Sequence, residues 1–356
     1  MKKSNNSHNF YFKATGIGSV SSLDIDGTCQ NILERLPDIP FWPQFVQKSY
    51  REDMSIQFSE GLPFLDIDND NKKLVFKSEK IEDELVRFYD RYLSEDIDYF
   101  AISKENAAGL YKMIERICEA PHKYGPFIKG HTVGPVTFAS GIFDNIGKSV
   151  LHTPDLLEAL TKGLAIKARW QADQLRKCGK KCIIFLDEPA LSGFGSAFSA
   201  IERIEVINIL KDVIDYLEEK TDSLIGIHCC GNTDWSMILE TGPHIVNFDA
   251  FGFMDFFLLY PKEITHFLQN GGIIAWGIIP TSAFTGKETV EELYIRLKKG
   301  LEYLHDQGLE AELIYSNSIL TPACGMGLID ETTASVILGL LSDLSEKMQL
   351  EYATKK

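Results

Sequence analysis

Residues 182–191 read CIIFLDEPAL: a run of apolar side chains from Cys182 to Leu186, then Asp187, Glu188 and Pro189. A nearly continuous apolar run of this length, without polar alternation, suits a strand whose two faces are both covered, as in a parallel sheet. The polar residues gather immediately after it. The same arrangement recurs on either side, which decides the fold class.

Working outward, strands are expected at Phe12–Ile17, Phe127–Gly130, Cys182–Asp187, Leu224–His228, Ile245–Asp249, Ile273–Ile278 and Leu313–Ser316. Helical periodicity separates them at Pro154–Lys177, Ala200–Glu219, Lys262–Gln269 and Val290–Gln307, and a last helix is expected over Glu331–Gln349. An eighth strand is expected in the less regular region 55–77. Such alternation predicts an α/β chain folded as a (β/α)8 TIM barrel rather than an open doubly wound sheet. The first connection, from about residue 20 to residue 124, is an extended insertion after the first strand. Within it LDIDNDNKKLVF (65–76) places an Asn/Asp cluster between apolar runs and reads as a hairpin. With no low-complexity linker and no internal repeat, residues 1–356 are expected to form a single domain.

Special residues follow every expected strand: ATGIGSV, GHTVGP, LDEPAL, HCCGNTDW, DAFGF, WGIIPT and SNSILTPACGMG. In a barrel these points share one rim, the C-terminal face where loops build active sites. Residues distant in sequence would converge there.

Lys and Arg number 36 against 51 Asp and Glu, a formal net charge of −15. This balance argues against a nucleic-acid backbone or an anionic membrane surface as partner. No apolar run approaches the roughly 20 residues of a membrane span, and the N-terminus has no apolar core of a signal peptide. A cytoplasmic location is the expectation. Seven cysteines scattered through a large chain do not read as a disulfide framework, and clustered cysteines in a reducing compartment point to metal binding or catalysis.

That draws attention to GIHCCGNTDW, residues 226–235. Alternate side chains of a strand share a face, so His228 and Cys230 point together and Cys229 points away. Two ligands do not hold zinc, but Cys324, after the last expected strand, supplies a third and Asp249 offers a carboxylate. One nitrogen, two thiolates and an oxygen suit tetrahedral zinc with an exchangeable position. Cysteine is also among the most buried residue types, and Cys29, Cys118, Cys178, Cys182 and Cys229 are read as inert core. Cys178 and Cys182 have ligand-like spacing, but no second pair accompanies them.

The segments GIGS (16–19), GHTVGPVTF (130–138), IIFLDEPAL (183–191), HCCGNTDW (228–235) and PACGMG (322–327), in that order, resemble the catalytic barrel of cobalamin-independent methionine synthases. That barrel is similar to methylcobamide:coenzyme M methyltransferases and to uroporphyrinogen decarboxylase, and the resemblance runs from about residue 11 to residue 345. It implies a Zn2+ ion that binds and activates the thiol of a methyl acceptor. Carried over by position, His228, Cys230 and Cys324 match the ligands. Asp249 stands where the synthases have a longer glutamate ligand. Asp187 matches a carboxylate that holds the substrate amino group, and Ser19 a residue at the substrate's carboxylate end. Asp187 and Asp249 are thus the catalytic candidates, with Ser19, Asp187, His131 and Asn232 for substrate binding. Asn232, Asp234 and Trp235 suit either the support of His228 or a helix start. Residues 193–198, GFGSAF, read as a mobile loop near Asp187.

The sequence also departs from that family. Methionine synthases carry an N-terminal half used for folate, and here about ten residues precede the first strand. A methylcobamide, free or on a corrinoid carrier protein, is therefore the expected methyl donor and a small thiol the acceptor. Where the synthases supply a glutamate to the homocysteine amino group, the aligned position is Ile56, with Gln57 and Glu60 nearby; WGIIPTS lacks a histidine found there in the family. The alternatives are a methionine synthase using homocysteine and folate, a noncatalytic zinc- or corrinoid-binding partner, and a uroporphyrinogen decarboxylase-like lyase. The last needs cations for several carboxylates, and GIGSVSSLDIDG contains no arginine.

Overall fold

The computed structural model describes residues 9–77, 79–194 and 201–353. Strand β1 (Lys13–Ala14) leads through helix α1 (Ile25–Arg35) to the pair β2 (Leu65–Asp68) and β3 (Lys73–Phe76), then α2 (Ile81–Leu93) and α3 (Ala108–Glu119). Strands and helices alternate from there: β4 (Phe127–Val133), α4 (Pro135–Ser140), α5 (Pro154–Arg176), β5 (Lys181–Asp187), α6 (Arg203–Lys220), β6 (Leu224–Cys229) and α7 (Trp235–Glu240). β7 (Ile245–Phe248), α8 (Ala250–Phe257), α9 (Pro261–Gln269) and β8 (Ile273–Ile279) follow. The chain ends in α10 (Val290–Asp306), α11 (Ala311–Ser316), β9 (Ser318–Pro322) and α12 (Glu331–Ala353).

Seven strands form one sheet in the order β1-β9-β8-β7-β6-β5-β4, each neighbouring pair parallel. Its inner face closes on an apolar plug to which every strand from β4 to β9 contributes: Phe127, Ile183, Phe185, Leu224, Ile245, Ile273, Ala275 and Ile319, with Phe10 and Ile39. Outward-facing residues such as Ile184, Leu186, Ile225 and Ile227 belong to a second core shared with the helices, including Leu164 and Leu210. Burial on both faces explains the unbroken apolar runs.

The sheet edges are joined by residues 41–44. Phe41 bridges Lys129 of β4 and Gln44 bridges Ser19, both in parallel sense. The Lys129 amide donates to Pro40 O at 2.8 Å, and the Gln44 amide donates to Gly18 O at 3.0 Å. The result is a TIM-barrel-like ring of eight backbone segments. The eighth strand expected in 55–77 is therefore misplaced: that region holds the short 3-10 turn Ile56–Phe58 and the β2–β3 pair. Pro40 and Pro43 remove ladder donors from the true eighth segment, which leaves it without a strand signature in sequence. This segment also divides the long connection expected over 20–124. The expected hairpin is present, pairing Leu65 with Phe76 and Asp68 with Lys73 in antiparallel register, separate from the main sheet.

Two other strands differ from expectation. Phe12–Ile17 shrinks to Lys13–Ala14, because Tyr11 and Phe12 adopt φ of 43° and 61°, outside the β region. Leu313–Ser316 is the end of helix α11. The strand slot passes to Ser318–Pro322, every residue of which is buried, and the Asn317 amide side chain closes the turn on Gly272 O at 2.7 Å. The cysteines also depart from the core reading: Cys118 near the end of α3 and Cys178 just after α5 form a disulfide, with Cα atoms 4.9 Å apart. The two helix ends meet although 60 positions separate them in sequence. Among the described residues no helix is long and apolar enough to cross a membrane.

The closing segment is held by a buried acid. Glu52, 1% exposed, accepts from the Phe45 amide at 2.5 Å. Burial pushes its carboxyl up to about 7, against the opposing pull of backbone donors from Phe45 and Ala108. A carboxyl raised in the folded state binds its proton more tightly there than when unfolded. Its contribution is therefore fullest below about pH 4.5 and is lost as pH rises through about 7, a swing of a few kcal/mol. Glu52→Gln is expected to flatten the pH dependence of urea unfolding between these limits and to raise stability most at pH 8. An unchanged slope would contradict this assignment.

Candidate metal centre

Parallel strands end together, so the turns after β4 to β9 share one rim. In β6 the residues alternate as expected: Leu224 belongs to the inner plug, while Ile225, Ile227 and Cys229 pack in the outer core. His228 thus faces inward, 3% exposed, and Cys230 follows at the strand end. Cys324 lies two residues past β9, which is three places from β6 in the sheet. The ligand-type atoms of His228, Cys230 and Cys324 nevertheless all lie within 4.8 Å of one another. The barrel mouth brings them together from positions nearly a hundred residues apart. Among the described residues this is the one group of three or more such side chains within that reach.

His228 is oriented by a residue hidden inside an apolar run. Its Nδ1 lies 2.5 Å from Asn247 Oδ1, directly across from it on β7. Asn247 Nδ2 donates to Ala275 O and to Thr321 Oγ1, each at 2.8 Å. With the amide nitrogen thus engaged, its oxygen must accept, so His228 donates from Nδ1, and Nε2 is the nitrogen left for Cys230, whose thiolate takes its proton as a hydrogen bond. An Nδ1–H held this way is what a histidine bound to a metal through Nε2 requires.

The three donors are also electrically coupled. Hydrogen bonds from Cys324 and His228 outweigh burial and pull the Cys230 thiol down to about 4. The same contact with Cys230, together with burial, pushes the Cys324 thiol well above its ordinary value. For His228 burial acts to lower the pKa, but the Cys230 hydrogen bond and the Asp187 charge outweigh it and raise it. Cys229 behaves differently. Fully buried, it contacts Ser192 Oγ at 3.7 Å, and burial pushes its thiol up to about 12. Adjacent cysteines have opposite character because the strand alternates.

Asp187 ends β5 directly beside His228. Burial raises its carboxyl to about 6, against the pull of His228 and Lys129, and its Oδ1 has no hydrogen-bond partner. Lys129 lies on the inner face of β4, with Nζ 2.5 Å from Ile17 O and 4.3 Å above the Phe185 ring. Desolvation lowers this amine to about 8, partly offset by Asp187. His131, two residues on, is buried and stacks on Trp42 with centroids 4.0 Å apart. Neither ring nitrogen has a partner, and desolvation, with the Lys129 charge, holds it well below the ordinary histidine range. The rim loop passes so close that a Cβ on Gly18 would lie 2.7 Å from the ring.

Ser19 braces the Cys324 loop: its Oγ accepts from the Gly327 amide at 3.2 Å, and its carbonyl accepts from the Met326 amide at 2.9 Å. Glu188 of the DEP turn clasps the turn after β4, accepting from the amides of Val136 at 3.0 Å and Thr137 at 2.7 Å. Asp249 lies outside the three-residue group. It caps α8, accepting from the Gly252 amide at 2.7 Å. Asn232 takes no hydrogen bond to His228, and its side-chain oxygen is unpartnered. Asp234 caps α7 and pairs with Arg203 at 3.2 Å, while Trp235 is core.

Ile56 and Gln57 are buried, and Gln57 spends its amide on Asn106 O at 2.5 Å. Glu60 accepts from the Ser103 amide at 2.7 Å. Residues 195–198 of the expected mobile loop lie outside the described residues. Asn247, Lys129 and Glu188 were not singled out from sequence. Asn247 is a lone polar residue on an inward position of an apolar strand, and that interruption is its only signal; Lys129 and Glu188 stand beside polar neighbours, His131 and Asp187, that draw the attention instead.

No family model matches the chain, and no curated protein does. Among solved structures it is similar to a B12-independent methionine synthase from Shewanella sp. W3-18-1 in complex with selenomethionine, with a TM-score of 0.56 and 15% identity. The match covers 96% of this chain and 99% of that one. At this identity the likeness speaks to the fold.

Proposed function

We propose that the chain is a zinc-dependent methyltransferase that activates a small thiol and moves a methyl group between it and a donor, a methylcobamide presented free or on a carrier protein. The convergence of His228, Cys230 and Cys324 carries this reading. One imidazole and two thiols at a barrel mouth fit zinc in type and number, and leave room for a substrate ligand. Zinc held there supplies a positive centre that keeps a bound thiol deprotonated at neutral pH.

The chain's own groups do the rest. Asn247 fixes the His228 tautomer, and the brace from Ser19 sets the Cys324 loop. Asp187, beside His228 and with one oxygen unpartnered, is placed to take a cationic group of the acceptor. His131, one layer deeper beside Phe185 and stacked on Trp42, remains neutral beneath the rim. Asp249 caps α8 through Oδ1 and stands outside the three-residue ligand group.

A second reading, homocysteine methylation with a folate donor, is favoured by the solved neighbour, a B12-independent methionine synthase in complex with selenomethionine. One experiment separates the two. Zinc-loaded protein is mixed with methylcobalamin or methyltetrahydrofolate and, in turn, homocysteine, coenzyme M and other small thiols. Conversion of methylcobalamin to cob(I)alamin is the expected result. Turnover with folate alone would select the second reading. Failure with both donors and every thiol, at one zinc per chain, would refute the folate reading and the use of a free methylcobamide.

A further inference from the structure

One polar side chain of the outer helical layer reaches through to the barrel wall. Gln171 lies on α5, fully buried, and passes over Gly130 to the open edge of β4. A Cβ on Gly130 would overlap Gln171 Oε1, so the glycine makes the passage.

The edge of β4 lacks a rung at this point. Lys129 pairs with the closing segment in both directions: its amide donates to Pro40 O at 2.8 Å, and its carbonyl accepts from the Trp42 amide at 3.3 Å. His131, two residues on, presents its backbone to the same side. The next partner there would come from Pro43 or Gln44. Pro43 has no amide to give, and the Gln44 amide donates to Gly18 O at 3.0 Å instead. The Gln171 side chain fills the gap. Its Nε2 donates to His131 O at 2.8 Å and its Oε1 accepts from the His131 amide at 3.0 Å, standing in for the backbone of a neighbouring strand. Oε1 also accepts from Trp42 Nε1 at 2.9 Å, which ties the closing segment to the same point.

Contacts run from there to the mouth. Trp42 stacks on the His131 ring. The rim loop 16–19 rests on that ring at Gly18 and on Phe41 at Gly16, where an added Cβ would overlap each. Ser19 of that loop accepts from the amides of Met326 and Gly327, next to Cys324.

We propose that Gln171 is a positioning residue for the metal centre: its amide supplies the rung that closes the barrel and, through Trp42 and His131, holds the rim loop that braces Cys324. Its effect on zinc depends on the function proposed above, whereas its effect on barrel closure does not.

Two substitutions in the full chain reach the rung separately. Gln171→Met keeps the length of the side chain and loses its hydrogen bonds, while Gly130→Ala displaces the amide without deleting it. Leu217→Ala, in the outer core on α6, is the control for lost stability alone. Zinc affinity, by competition with a chelator, is expected to fall about tenfold in each rung variant, the lower end of the cost of losing a ligand's support. Leu217→Ala should stay near wild type. The double variant should lose no more than either single one, because both remove the same contacts. Hydrogen exchange of the metal-free chains gives a second readout. Relative to Leu217→Ala, the amides of His131, Gln44 and Met326 should exchange at least about tenfold faster in the rung variants, and those of Val246 and Ala275 across the barrel should not. Wild-type zinc affinity in both rung variants, or exchange that rises evenly over the sheet as in the control, would overturn the proposal. A wild-type chain that binds no zinc would refute the metal reading, and exchange alone would then decide the role of Gln171. If Gln171→Met does not fold, Gly130→Ala decides.

Discussion

Cys230→Ala and Cys324→Ala are each expected to lose the bound zinc, whereas Cys229→Ala keeps close to the wild-type complement. All three remove a largely buried sulfur, so packing loss alone predicts similar damage. The difference comes from strand alternation: Cys229 packs against Ser192 behind β6, while Cys230 faces Cys324 and His228 across the mouth. Two remaining ligands hold zinc poorly. The affinity loss should therefore exceed the roughly 10–100-fold that follows when only a hydrogen-bond partner of a ligand is removed. Metal content per chain after dialysis against a weak chelator measures it, with circular dichroism confirming that each variant folds. Methyl transfer should fall with the metal. Equal zinc loss in all three variants would refute the alternating-face argument, and full retention in Cys324→Ala would remove that residue from the site.

The sequence shows strand alternation and the rim most clearly where both faces of a strand are apolar. β5, β6 and β8 are legible because Ile183–Leu186, Leu224–Ile227 and Ile273–Ile279 each carry plug residues inward and helix-facing residues outward. The segment 41–44 is not legible, because Pro40 before it and Pro43 within it break the ladder and tertiary bridges on both sides do the work of a strand. Nor is β1, where two aromatic residues at positive φ interrupt the extended backbone. Helix α11 and β9 each carry a short apolar run, divided by Ser316, Asn317 and Ser318, and only the tertiary fit of Ile319 and Thr321 to the interior decides which run extends.

At the candidate site, the convergence of His228, Cys230 and Cys324 is legible because His and Cys are rare and their placement after strands is patterned. Their supporting groups are not. Asn247 interrupts IVNF by one polar residue, and nothing local reveals that it faces His228. Asn232, four positions from His228, was the natural sequence candidate for that support. The β6–β7 register gives the role to a residue nineteen positions away.

That register leads to the second large effect. Asn247→Leu is expected to weaken zinc binding by about 10–100-fold while leaving all three ligands in the chain. The leucine removes the acceptor for His228 Nδ1–H, so the ring loses the contact that fixes its tautomer and direction. It also leaves Ala275 O and Thr321 Oγ1 without the Asn247 donor, at a cost of about 1–3 kcal/mol for a buried polar group left unmade. Thr321→Val separates these contributions. It deletes one partner of Asn247 but leaves the bond to His228, so its stability should fall while its zinc affinity stays within a few-fold of wild type. Competition against a chromophoric chelator gives the affinities, and urea unfolding of the metal-free proteins gives the stabilities. Wild-type zinc affinity in Asn247→Leu would show that packing of the imidazole, rather than its hydrogen bond, orients His228.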